Sequence, residues 1–92
     1  MNVQRLDRHP QIEFLVDDFA AEPFRTRDGE ALRPTNANVV FGPGGDFRYA
    51  QVWGWRIEGG NEFAGRRCVE ASATSLKSAE PFVQRLVEEM QP

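Results

Sequence analysis

Few residues in this chain could make or break covalent bonds. There is one cysteine, Cys68, and one histidine, His9. A thiolate nucleophile needs a base in contact with it and a third group to orient that base. Nothing in the spacing of His9 and Cys68 brings them together, and the pattern around Cys68 puts it in the middle of a strand. One His, one Cys and scattered carboxylates do not resemble a zinc ligand set, so neither a metal nor a cofactor is expected. Asp17-Asp18 and Glu88-Glu89 are adjacent pairs on helical patterns. The members of such a pair diverge, so both pairs read as solvated faces. The stretch "FGPGGDF", Phe41 to Phe47, has the glycines of a phosphate loop, but such a loop opens a helix whose N-terminus receives the anion. Here the glycines lead into a strand, beside the negative Asp46 and without a Gly-Lys-Ser/Thr sequence, and a hairpin loop is expected. No catalytic residue is assigned, and the chain reads as a non-enzyme.

The whole chain sets the scale for these elements. It has 92 residues, 40% hydrophobic and 27% charged, which suits a single globular domain over residues 1–92. The formal charge is −3, so there is no global pull toward nucleic acid or anionic lipid. The charge is uneven: residues 1–46 carry five Arg against eight Asp and Glu, while residues 47–92 carry five Arg and Lys77 against six Glu. No apolar run reaches the length of a signal peptide or a bilayer span. A lone cysteine fits a reducing compartment, and a cytoplasmic location is expected.

Local pattern then places the elements. "HPQIEFLVDDFAAEP" predicts a helix over about 10–21, with Pro10 at the first helical position and Ile12, Leu15, Val16, Phe19 and Ala20 on one stripe. Ile12, Phe14 and Val16 also satisfy a strand reading, which stays open. Asp28-Gly29 favours a short edge hairpin or an ordered loop over 24–33. From Phe47 to Ile57 the odd positions are Phe, Tyr, Gln, Trp, Trp and Ile, which predicts a strand of period two. A Gly59–Asn61 loop pairs Ile57 with Phe63, Trp55 with Gly65, Trp53 with Arg67 and Tyr49 with Ala71. The "GPGGD" loop sets Phe41 opposite Phe47 and Val39 opposite Tyr49. "SAEPFVQRLVEEM" predicts a helix capped by Ser78, with Phe82, Val83, Leu86, Val87 and Met90 as its apolar stripe. The expected architecture is α+β: an antiparallel three-stranded meander in the order α-β-β-β-α, with both helices on its odd face.

On that register Trp53 and Trp55 point into the core and Arg67 stacks on Trp53; a stacking platform for a ligand is the alternative reading of the two indoles. The even face then presents Arg48, Arg56 and Arg66 around Val40, Ala50, Val52, Ala64 and Cys68, with Glu70 at one end. Small apolar groups ringed by arginine match an interface composition. The covered alternative is that the 24–33 segment or a second copy of the chain lies over this face.

The order of a W-x-W-x-I strand, a Gly/Asn turn, a further strand and an S-x-x-S-A-E helix entry, from Gly45 to Met90, resembles two kinds of three-stranded-sheet-plus-helix domain: YegP-like repeats and the arm-site DNA-binding domain of phage integrases. The latter resemblance implies a sheet face entering a major groove, here with Arg48, Arg56 and Arg66. In size, acidity and lack of catalytic groups the chain also resembles phage-encoded inhibitors such as anti-CRISPR proteins. The expected function is therefore a non-enzymatic module or inhibitor that docks a protein partner. Its candidate contacts are Arg48, Arg56, Arg66, Val52 and Glu70 on the sheet, or Asp17 and Asp18 on the first helix. The alternative is a small DNA-binding module using the same arginines. No membrane partner is expected, and a homodimer is the remaining arrangement.

Overall fold

The structure, a computed structural model, describes residues 1–20, 22–59 and 65–92. It contains strands β1 (Asn2–Arg8), β2 (Gln11–Asp17), β3 (Phe24–Arg25), β4 (Ala31–Phe41), β5 (Phe47–Ile57) and β6 (Arg66–Ser72). A 3₁₀ turn (Leu76–Ser78) and an α-helix, α1 (Pro81–Met90), follow. The strands form one six-stranded antiparallel sheet in the order β1-β2-β4-β5-β6, with β3 added beside β4. Among the described residues no helix is long and apolar enough to cross a membrane.

This corrects the expected α-β-β-β-α order, because the first helix does not exist. Residues 11–17 form β2, and the preceding residues 2–8 supply β1, an edge strand that periodicity did not reveal. Pro10 starts no helix; with His9 it makes the turn between β1 and β2. The open strand reading is the one realised. Phe14 and Val16 are buried, whereas Leu15, central to the helical stripe, is 37% exposed. A helix would have left Phe14 outside the core. As a strand, β2 saturates the edge of β4 from Ile12–Phe41 to Asp17–Asn36 and packs Phe14 edge-to-face on Phe41 at 5.9 Å. Tertiary pairing outweighs a local periodicity that suited either form.

Two expected turns are present. β3 pairs Phe24 with Leu32 and Arg25 with Ala31, on the same side of β4 as β2. Gly29 stands at φ 87° in the intervening turn, the left-handed region where glycine carries no steric cost. The glycine loop closes the β4–β5 hairpin through Gly42 N–H to Asp46 O at 2.7 Å.

The faces of the sheet are decided by two irregularities. Phe41 pairs with Phe47 as expected, but Val40 pairs with Tyr49, so Arg48 is an extra residue on β5. A second shift lies between Pro34 and Asn36, leaving Thr35 extra on β4. A one-residue bulge moves every later side chain to the other face. Beyond Arg48 it is therefore the even positions Ala50, Val52 and Gly54 that are buried, the first two in one cluster with α1. Tyr49, Gln51, Trp53 and Trp55 turn to the opposite face. The β5–β6 register is displaced by one as well: Trp55 pairs with Arg66, Trp53 with Cys68 and Tyr49 with Ser72. The inward tryptophans and the Arg67–Trp53 contact are thus both overturned. The expected Ile57–Phe63 pair lies outside the described residues.

Helix α1 forms where expected and buries Val83, Leu86, Val87 and Met90. Ser78 is not its cap; that hydroxyl donates to Ser75 O within the preceding turn, and Glu80 occupies the cap position. Phe82 stacks on Phe24 at 4.4 Å and 8° and tilts against Phe19 at 5.8 Å. Small residues on the sheet, Ala37, Ala50 and Ala71, allow the helix to sit close.

Candidate functional site

With one helix instead of two among the described residues, one face of the sheet has no helical cover from them. Four cross-strand rows can be followed over it from the pairing. The first runs Leu6, Glu13, Val40, Tyr49, Ser72; the second Gln4, Leu15, Asn38, Gln51, Glu70. The third is Asn2, Asp17, Asn36, Trp53, Cys68, and the last Arg33, Trp55, Arg66. Tyr49 is 40% exposed, and both indoles are partly exposed. Arg66 holds the indoles together: its guanidinium carbon lies 5.5 Å from the Trp53 ring centre and 5.8 Å from that of Trp55. The same guanidinium donates to Asn36 Oδ1 at 2.7 Å.

Of the predicted contact residues, Arg66, Glu70 and Asp17 lie on this face and the others do not. Arg48 sits at the bulge, 3.1 Å from Asp46. Arg56 is on the helix-covered side, 2.8 Å from Glu30 and from Glu58. Only Arg66 of the three stands on the uncovered face. Val52 is fully buried between Ala37 and Val69, so it belongs to the core and offers no outward surface. Glu70 is exposed on the uncovered face, bonded to Gln51. Asp17 ends β2 on that face and Asp18 follows it at φ 53°; neither is on a helix. The expected arginine-ringed surface is therefore dispersed, and an aromatic surface that sequence reasoning had placed inside takes its position. The signals for it were Pro34, a residue that strands accept mainly at edges and bulges, and the unbroken apolar run Val39-Val40-Phe41, which fixes no parity.

A groove of about 340 Å³ opens over the β5–β6 pair, lined by Tyr49, Gln51, Glu70, Ser72 and Ser75 above the Ala50–Ala71 backbone. Cys68 lies one row away, half-buried. Burial and then the Glu70 charge push its thiol above the ordinary cysteine range, the opposite of what an activated nucleophile needs. His9 is in the β1–β2 turn, and the described residues contain no group of ligands able to hold a metal.

The helix-covered side carries an ionic cluster at its far end. Arg67 reaches Glu30 at 2.5 Å and Asp28 at 3.1 Å, and Arg56 shares Glu30. The Thr26 hydroxyl and then Arg67 hold Asp28 below the ordinary carboxylate range, and the Arg67 hydrogen bond does the same for Glu30. Every charge in the cluster has a partner, and its evident work is to fasten the 24–30 hairpin to β5 and β6. Comparison with protein-family models, with curated proteins and with solved structures gives no match.

Proposed function

We propose that this chain is a non-enzymatic protein-interaction module, of the kind that small phage-encoded inhibitors represent, and that it docks its partner on the helix-free face of the sheet. The observation that carries this reading is the Tyr49, Trp53, Trp55 and Arg66 array on a face that α1 does not cover. Trp, Tyr and Arg are the residues that dominate binding energy at interfaces, particularly where they stand together near the middle of a patch. Leu15 extends the array with exposed apolar surface, and Glu13, Asp17 and Glu70 give it a polar rim, the anatomy of a specific contact. The lack of an activated nucleophile or base in this region supports a binding role over a catalytic one. The DNA-binding alternative loses its main support, because Arg48, Arg56 and Arg66 do not form one surface and three carboxylates share the face with Arg66 and Arg33.

A photo-crosslinking amino acid placed at Leu15, on the uncovered face, and separately at exposed Glu88 on α1 tests the reading. A discrete protein adduct is expected from position 15 and not from 88, and Trp53→Lys should abolish it. An adduct of twice the chain mass identifies a second copy as the partner. No adduct, or equal adducts from both positions, overturns the reading.

A further inference from the structure

We infer that the groove between Tyr49 and Glu70 receives a cationic side chain, a lysine ammonium or an arginine guanidinium, contributed by the docked protein; this rests on the docking reading above. The lining is rich in acceptors. Glu70 takes one hydrogen bond, from Gln51 Nε2 at 2.9 Å, and no described lysine, arginine or histidine forms an ion pair with it. The Gln51 amide thereby turns its nitrogen toward Glu70. The Ser72 and Ser75 hydroxyls lie 3.1 Å apart, and Ser75 Oγ already accepts from Ser72 N–H at 2.8 Å. On the other side stands the Tyr49 ring, 40% exposed, whose face attracts cations. A carboxylate with no cation among the described residues, a side-chain amide and a 40% exposed tyrosine line one 340 Å³ space.

That set discriminates among occupants. An anion meets the Glu70 charge and finds no cationic donor. A neutral polyol can use the hydroxyls but leaves the carboxylate without a counter-charge. A primary ammonium or a guanidinium supplies several donors and the missing charge together. The formal charge of −3 adds long-range attraction for a basic partner. The two ends of the face then differ in kind: Arg66 is occupied by the indoles, and the Glu70 groove is the end that recognises charge.

The test is a titration of the isotope-labelled full chain, followed by NMR, with n-butylammonium and n-butylguanidinium chloride as probes. Sodium butyrate and methyl glucoside serve as the anionic and polyol arms. Saturable shifts are expected for Tyr49, the Gln51 side-chain amide, Ser72 and Ser75 with the two cations only, at concentrations on the order of 10–100 mM for a single-side-chain contact. Glu70→Gln and Tyr49→Ala should each weaken the effect by about threefold or more, with the rest of the spectrum confirming the fold. Added salt should also weaken it. No localised shift with either cation, shifts unchanged in Glu70→Gln, or preferential binding of butyrate or glucoside overturns the inference. Cation binding without any crosslinked partner removes the docking reading and keeps the groove chemistry; a crosslinked partner without cation binding does the reverse.

Discussion

Replacing Val52 by lysine should unfold the domain, and the same replacement at its neighbour Trp53 should leave it folded. Val52 has no exposed surface and lies between Ala37 and Val69 under α1. Losing its burial costs about 1.5–3 kcal/mol, and an unpaired ammonium in its place adds several kcal/mol more. At roughly 0.05–0.15 kcal/mol per residue the whole domain holds only about 5–14 kcal/mol, so most or all of its stability is consumed. At Trp53 the losses are the Arg66 contact, about 0.5–1 kcal/mol, and cross-strand packing on Cys68 and Asn36, roughly 0.2–1 kcal/mol for each pair. A like-charge neighbour at Arg66 adds a little, for a total of about 1–3 kcal/mol. Urea unfolding followed by far-ultraviolet circular dichroism measures both, with an unchanged slope showing that the denatured state is comparable. Val52→Ala, expected to cost about 2–3 kcal/mol, gives a milder version if the lysine variant cannot be purified. A folded Val52→Lys beside an unfolded Trp53→Lys would mean that the indoles point inward, and both the bulge argument and the docking face would fall.

Three further outcomes follow from particular contacts. A methyl group added at Gly54 would stand 2.9 Å from the Arg33 carbonyl oxygen and 3.4 Å from Leu32 Cβ; because the nearer atom is backbone, Gly54→Ala should cost about 1–3 kcal/mol, read as a lowered thermal midpoint with the fold retained. Asp28 and Glu30 have folded pKa values below their ordinary ones, so their contribution is complete above the ordinary carboxylate range of about 4 and is lost as pH falls through the depressed folded values. Glu30→Gln should therefore flatten the acid limb of the urea midpoint plotted against pH, and an unchanged limb would refute the Arg67 clamp. The Cys68 thiol, raised first by burial and then by Glu70, should react with a chromogenic disulfide at pH 8 more slowly than free cysteine and somewhat faster in Glu70→Gln; a rate above that of free cysteine would contradict the burial.

The readable parts of this chain were those written by local chemistry. Helix α1 was legible because five apolar residues return at helical spacing after a proline that tolerates the first turn. The Gly42–Asp46 loop and the Asp28-Gly29 turn were legible because glycine alone takes their backbone angles cheaply. Strand β5 was legible from its alternation. The first strand pair was not: Ile12, Leu15, Val16 and Phe19 satisfy a helix as well as Ile12, Phe14 and Val16 satisfy a strand, and only the free edge of β4 separates the two.

The candidate site was misplaced for a related reason. Alternation says that Trp53 and Val52 lie on opposite faces and is silent on which face is inside. That choice turned on Arg48, which has no partner in the ladder and inverts the parity of β5 beyond it, as Thr35 does for β4. The sequence by itself determined the strand from Phe47 to Ile57, its two unlike faces, the final helix and the poverty of catalytic groups. Tertiary structure alone decided which face the helix covers, because burial is a property of the assembled layers and a bulge is settled by the partner strand.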